Sequence, residues 1–346
     1  MKLKTMQLAN PHREKILLRV DFNVKAENGK VKEKFKINAV KETIEWLLER
    51  ENKIALLSHW GRPSGKDKNF SLNRIKNDLE RILNLKIKFV NDCLGEEVKK
   101  ALDNLEEKEI LLLENVRFYS EEMDNSSSFA QSLAENFNLF INDAFSVCHR
   151  KQASVVAITQ FLPSFAGWRL QKEIKNLEKV REHPYHSAVA IIGGAKIDTK
   201  LPLIRKLEEN YDFILVGGKV AIEAKEKNIS FIKKVILPLD FTENKLDVGE
   251  KTIQEFQKII AGARTIIWNG PMGKFEEKPY DHGTKEILKS IINNKEVFSL
   301  LGGGETLQLL EETNNLQKIS FVSTGGGAML TFLGKQTMPG LEVLKI

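Results

Sequence analysis

Short apolar runs of strand type alternate with amphipathic stretches along the whole chain. In the first half, the apolar runs predict strands near residues 16–20, 54–58, 87–90, 110–113 and 139–142. Helical spacing is read between them at 39–50, where Ile44, Leu47 and Leu48 share a face, and at 73–83 and 127–137. A longer amphipathic stretch at 168–181 follows Ala166. The second half resumes the alternation, with strands predicted near 188–192, 213–216, 231–237, 265–268, 298–301 and 319–323. Regular β–α alternation implies parallel sheets covered by helices on both faces. Two such sets predict two doubly wound α/β domains, divided near 163–167, with 168–181 as the connecting helix. No internal repeat and no low-complexity tract is evident.

Composition narrows the class. The chain has 346 residues, 42% hydrophobic and 29% charged, enough for two ordinary cores. No apolar span has the length of a membrane helix, and the first residues lack the apolar core of a secretory signal. Cys93 and Cys148 give neither a metal spacing nor a disulfide framework. The expected setting is a soluble, reducing, cytoplasmic one. The net charge is +6, but acidic residues are interspersed throughout and no basic arm or helix stands out. A small polyanion is therefore a better expected partner than nucleic acid or a membrane surface.

In an open parallel sheet, ligands bind beyond the carboxyl ends of the strands. In the first half those ends carry Asp21 and Asn23, then His59 and Arg62, then Arg117, then His149 and Arg150. Guanidinium forks bind phosphate and carboxylate bidentately, so this edge reads as a polyanion site, with Asp21 and Asn23 placed for hydroxyls.

In the second half the strand ends carry glycine: Gly193-Gly194, Gly217-Gly218, Gly270 and Gly273, Gly302–Gly304, and Gly325–Gly327. Such ends let backbone N–H groups approach a phosphate, and several lead into helix N-termini. Neither a Walker motif nor a dinucleotide fingerprint is present. Glu305 beside one glycine run is a candidate magnesium ligand. After Gly193-Gly194, Lys196 and Lys200 stand four residues apart, and a helix starting near Lys196 would set both ammonium groups on one face. Cations there oppose the helix dipole, and a bound anion would resolve the conflict. An arginine-rich site in one half and a glycine-rich phosphate site in the other suit phosphoryl transfer, which is mostly positioning and charge neutralisation.

The motifs RVDFNV (19–24), SHWGRP (58–63), LLLENVRF (111–118), NDAF…HR (142–150), GGAK…K (193–200), WNGPMGKFE (268–276), GGGET (302–306) and STGGGA (323–328) run in order along the chain. Together they resemble the signature set of the phosphoglycerate kinase family. That resemblance implies a kinase with a carboxyl acceptor, moving phosphate between 1,3-bisphosphoglycerate and ADP to give 3-phosphoglycerate and ATP, with Mg2+ bound alongside the nucleotide. It implies a monomer with direct in-line transfer after domain closure. It implies that residues 1–166 form the substrate domain, with 328–346 returning to it, and that 167–327 form the nucleotide domain. On that pattern, Asp21, Phe22, Asn23, His59, Trp60, Gly61, Arg62, Arg117 and Arg150 would hold 3-phosphoglycerate. Lys200 meets the nucleotide phosphates and Lys196 the transferring phosphoryl group. Gly217, Asn269 and Glu276 lie along the nucleotide, with Glu276 on the ribose. Gly303, Gly304, Glu305 and Thr306 cradle phosphate and metal, and Gly326 offers its N–H in catalysis.

Several positions depart from the pattern. Lys36 stands where the family has a catalytic arginine, with Lys34 as the other candidate, and it loses the planar fork. Glu305 replaces a metal-binding aspartate. Lys274 replaces a small apolar residue, and Glu250 follows Gly249 where the family has proline. Several dozen residues are missing after Gly218 and between Asp240 and Asp247, near the adenosine pocket. These departures leave two alternatives to the kinase: a related acyl-phosphate kinase with altered nucleotide preference, and a catalytically impaired 3-phosphoglycerate-binding homologue.

Overall fold

The computed structural model describes residues 1–27, 29–106 and 108–346. Among the described residues the chain forms two six-stranded parallel sheets and one short antiparallel hairpin.

The first sheet is built from β1 (Lys15–Arg19), β4 (Lys53–Leu57), β5 (Lys86–Phe89), β6 (Glu109–Leu112), β7 (Leu139–Asn142) and β8 (Ser164–Ala166). The hairpin pairs β2 (Ala26–Glu27) with β3 (Lys30–Val31). Sheet order is β5-β6-β4-β1-β7-β8. In β1, Ile16 and Leu18 pack into one core, with Ile44 and Leu79 from helices on that face. Leu17 between them packs into the other, with Val98, Leu102 and Phe129. Both faces of the strand are therefore buried, which is why its sequence is a continuous apolar run rather than an alternating one.

The second sheet contains β9 (Ala188–Ile192), β10 (Phe213–Val216), β11 (Val235–Ile236), β12 (Thr265–Asn269), β13 (Phe298–Gly302) and β14 (Phe321–Val322). Its order is β11-β10-β9-β12-β13-β14. The chain leaves β9 in one direction and returns to β12 on its other side, so a crevice opens at the carboxyl ends of these two strands. β12 is in register with β9 from Thr265↔Ala188 to Asn269↔Ile192. That register sets Asn269 beside the Gly193-Gly194 turn.

The chain divides into two compact units, Met1–Ile174 with Thr337–Ile346, and Lys175–Gln336. These division points differ from the expected 166/167 and 327/328. The helix Trp168–Glu182 begins inside the first unit, where Trp168 lies against Trp46 and the Leu170 N–H donates to Asp143 at 2.9 Å. The helix Gly326–Leu333 belongs to the second unit, where Arg181 lies over the Phe332 ring. The C-terminal segment joins the first unit by an antiparallel bridge from Lys345 to Leu3 and by the Gly340 N–H donating to the Cys148 carbonyl at 2.9 Å. No described helix is long and apolar enough to cross a membrane.

Candidate active site

The carboxyl edge of the first sheet collects the polar residues the strand ends predict. Lys36 Nζ lies 3.1 Å from Asp21 Oδ2 and donates to the Asn23 carbonyl at 3.1 Å. Lys36 is only 15% exposed, whereas Lys34 faces solvent, so Lys36 is the lysine that joins this cluster. Burial acts to raise the Asp21 pKa, but the Lys36 charge, His59 and hydrogen bonds from Ser146 and Asn23 together outweigh it and hold the carboxyl below the usual carboxylate range. The Asn23 side-chain oxygen accepts from the Gly61 N–H at 2.9 Å, and Arg117 Nη1 donates to the Gly61 carbonyl at 2.6 Å.

Arg117 has two further groups, Nε and Nη2, that are buried without a partner among the described residues. A buried donor left unpaired is costly, so these two N–H sites mark where an acceptor is needed. Burial first, and then the charge of Arg150, push the Arg117 pKa down to about 10. Burial and Arg62 lower Arg150 in the same way. Like charges held together are stabilised when an anion sits among them. Arg62, Arg117 and Arg150 line one cavity of about 580 Å3, together with Tyr119, Lys151 and Gln152.

His59 lies just beneath this edge. Its Nδ1 is 3.1 Å from Arg19 Nη2, and a guanidinium can only donate, so the proton of the neutral ring is on Nε2. Burial, then the Arg19 charge, hold the His59 pKa well below its ordinary value. Arg19 itself is 0% exposed and donates through Nε to Ser154 Oγ at 3.0 Å. Ser154 in turn donates to Glu122 Oε1 at 2.7 Å. The strand-end reading did not single out Arg19. Its signal was present: an arginine closing an otherwise apolar run must carry its partners inside. Phe22 and Trp60 were placed among the substrate residues, but their side chains pack into the core beneath the site. The Trp60 indole donates to the Val24 carbonyl at 2.9 Å.

On the second sheet, the helix Ile197–Asn210 starts one residue after Lys196, whose backbone is left-handed at φ 67°. Lys196 is therefore outside the helix, and the expected shared face with Lys200 does not form. Lys196 is exposed, while Lys200 is buried and hydrogen-bonded to Asn269 Oδ1. Burial lowers the Lys200 pKa to about 8, partly offset by the Glu305 charge. The Asn269 amide also donates to the Gly302 carbonyl at 2.8 Å, so both ends of this side chain are engaged within the protein.

The glycines divide into two groups, which corrects their reading as a single ligand-facing set. A Cβ on Gly193 would stand 2.1 Å from the Pro271 carbonyl oxygen, and one on Gly217 2.5 Å from Met272 Sδ. The N–H groups of Gly193, Gly194, Gly217 and Gly218 donate to backbone carbonyls of Asn269, Pro271, Ile192 and Met272. Thr306 is likewise internal, accepting from the Gly270 N–H at 3.1 Å. These residues let neighbouring loops touch. Gly304, by contrast, has open space on its Cβ side and begins the helix Gly304–Glu312. Gly326 begins the helix Gly326–Leu333 against Gly303. These two helix N-termini are the ones set for anions.

A cavity of about 440 Å3 opens beside the first of them, lined by Gly194, Ala195, Lys219, Ile222, Glu226, Asn244, Lys245, Leu246, Pro271, Gly273, Lys274, Glu276 and Glu305. The turn that supplies Asn244–Leu246 is closed by Thr242, whose N–H donates to the Asp247 carbonyl at 2.9 Å. It falls where the sequence is short, so the shortened segment still walls the cavity.

With both edges described, the comparisons with known proteins decide the family. The phosphoglycerate kinase family model matches residues 6–236 and 223–336. The chain belongs to the phosphoglycerate kinase family. A phosphoglycerate kinase from Wolbachia sp. subsp. Drosophila simulans (strain wRi) is 35% identical over 394 aligned positions, covering 100% of this chain and 99% of the relative. One from Bartonella bacilliformis is 37% identical, covering 99% and 98%. Placing 346 residues takes 394 positions, so the Wolbachia relative carries residues that this chain lacks. The two family-model segments overlap at 223–236, which follows Gly218, the first of the two places read as shortened. Among solved structures, phosphoglycerate kinase from Pyrococcus horikoshii OT3 superposes with a TM-score of 0.88 at 27% identity, covering 99% of this chain and 98% of that one. The enzyme from Coxiella burnetii gives 0.80 at 30% identity, with the same coverage. The family fold, two parallel α/β domains, is the fold of this chain, and the family's activity is that of a glycolytic, nucleotide-dependent kinase.

Proposed function

We propose that this phosphoglycerate kinase holds 3-phosphoglycerate on the first unit and the nucleotide on the second. Transfer is then direct, from the nucleotide's γ-phosphoryl group to the glycerate carboxylate and back. The observation that carries the first half is Arg117, whose buried Nε and Nη2 point to an acceptor supplied from outside the chain. Arg62 and Arg150 complete the phosphate end. Asp21 and Asn23 orient the glycerate hydroxyl, and neutral His59 donates from Nε2. Lys36 meets the transferring group from this side.

On the second unit, the cavity beside the Gly304 helix start takes the nucleotide, with Glu276 and the Asn244–Leu246 turn along the nucleoside. Lys200 faces the phosphates and Lys196 the group in transit. The chemistry of the donors fits a magnesium ion that arrives with the nucleotide. Glu305 supplies a single carboxylate beside a phosphate-binding helix start, and Mg2+ characteristically keeps waters and phosphate oxygens as its other ligands. When bound, the ion neutralises phosphate charge. Direct transfer requires the two bound ligands to meet, with water excluded.

The test is a coupled assay with 3-phosphoglycerate and MgATP. Activity lost in K200A and retained in a surface variant such as K99A supports this assignment, whereas equal activity in both contradicts it. Running the assay with GTP and ITP beside ATP asks whether the shortened nucleotide unit has changed the donor.

A further inference from the structure

Lys196 holds a left-handed backbone, φ 67°, which disfavours any residue with a Cβ. Something must keep it there, and the helix Gly218–Glu226 does so from both sides. The Val220 N–H of that helix donates to the Gly194 carbonyl at 3.0 Å. Three residues further along the same helix, Glu223 Oε2 accepts from the Ile197 N–H at 2.8 Å. The two bonds grip the chain just before and just after Ala195-Lys196. The helix is itself anchored, because the Gly218 N–H donates to the Met272 carbonyl at 2.8 Å. Only a glycine at 218 allows this approach, since its φ is +59° and a Cβ would stand 2.9 Å from both N and O of Gly194.

Glu223 also settles a conflict visible in the sequence. The N-terminus of the Ile197–Asn210 helix needs an anion, and two lysines lie beside it. The protein supplies the anion itself. The first helical N–H is taken by the Glu223 carboxylate, which is 20% exposed and has Lys219 Nζ 4.0 Å from its other oxygen.

We infer that Glu223 is a positioning residue for phosphoryl transfer: with Val220 it clamps the 194–197 loop and so fixes where the Lys196 ammonium stands. This rests on the reading of Lys196 as the lysine that meets the transferring group. The carboxylate touches no reacting atom. It acts through the backbone of the residue that follows Lys196.

The test measures kcat and both KM values for E223A, E223Q, K196A and E223A/K196A. Glutamine keeps an oxygen that can accept from Ile197, so the clamp predicts that E223A lowers kcat about tenfold while E223Q restores most of it. The KM for 3-phosphoglycerate stays unchanged in both. The double variant is no slower than K196A alone, because the effect passes through Lys196. If E223A does not fold, E223D carries the same comparison, since it keeps the charge and draws the acceptor back by one methylene. E223Q as slow as E223A overturns the inference. So does a double variant that loses the full E223A factor again, and so does tighter MgATP binding by E223A, which would make Glu223 an occupant of an anion site. E223A at the native rate beside a crippled K196A overturns the clamp alone. K196A at the native rate instead removes the role of Lys196, and the clamp with it.

Discussion

Lys36 Nζ stands 3.1 Å from Asp21 Oδ2 and 3.1 Å from the carbonyl oxygen of Asn23. An ammonium has three donors, and two are already directed at the protein. One remains for a ligand. A guanidinium at the same place has five donors in a planar fork and could keep both internal bonds while presenting a pair to a phosphoryl group. K36R is therefore expected to raise kcat, by about two- to tenfold, with little change in KM for 3-phosphoglycerate. Steady-state kinetics check this. An unchanged kcat means either that Lys36 does not meet the transferring group or that a fork is not needed there.

Arg117 gives a sharper expectation for binding. Its two buried, unpartnered N–H sites await a ligand, and lysine cannot present both. R117K should weaken 3-phosphoglycerate by about 10- to 100-fold, the range for losing a charge-assisted hydrogen bond of about 1.5–3 kcal/mol. Nucleotide affinity should stay unchanged. Calorimetry with each ligand separately reads both, and equal weakening of the two ligands would count against the assignment.

Lys200 predicts a pH dependence. Burial lowers its pKa to about 8, so the free protein carries the ammonium below that pH and loses it above. A phosphate ligand favours the charged form. MgADP affinity should therefore be nearly flat below pH 7.5 and fall as pH rises through 8 to 9, approaching tenfold per unit. K200R, which cannot deprotonate in this range, should flatten the profile. A native profile already flat to pH 9.5 would show that Lys200 does not face the phosphates.

Asp143 bears on stability rather than turnover. It accepts from the Leu170 N–H at 2.9 Å at the start of the Trp168–Glu182 helix, and burial pushes its pKa up to about 6. The sign follows from linkage. The folded state binds this proton more tightly than the unfolded chain, whose carboxyl titrates near 3.8. The contribution to stability is thus fully present below about pH 4 and is lost as pH rises through 6, on the order of 3 kcal/mol in all. D143N should remove that slope between pH 4 and 6. Urea unfolding followed by tryptophan fluorescence in a W268F background reports on the first unit, which holds the other three tryptophans. Identical slopes with and without Asp143 would contradict the shift.

The doubly wound architecture was legible because each central strand is buried on both faces and so stands out as an unbroken apolar run, as in β9. Three of the four edge strands read less well. The runs at 231–237 and 319–323 shrink to Val235–Ile236 and Phe321–Val322, because pairing on one side only orders fewer residues. β8 escaped notice, since three residues carry no periodicity. The strand-end rule brought Asp21, Asn23, His59, Arg62, Arg117 and Arg150 to one edge. It could not say which side chains turn inward, and those of Phe22 and Trp60 pack into the core beneath the site. Glycine was ambiguous for a physical reason: the same missing Cβ that admits a phosphate at Gly304 admits another loop at Gly193 and Gly217. Glu223 was invisible, because its partner at Ile197 is joined to it only by the packing of one helix against a loop.

The most direct measurement is the rate at which the purified chain, with MgATP and 3-phosphoglycerate, forms acyl phosphate in a coupled assay. Steady turnover that vanishes in K200A and in R117A, with both variants folded, is the result expected. No turnover with ATP, GTP or ITP from a folded chain that still binds 3-phosphoglycerate would contradict it, and would leave a binding protein built on a kinase fold.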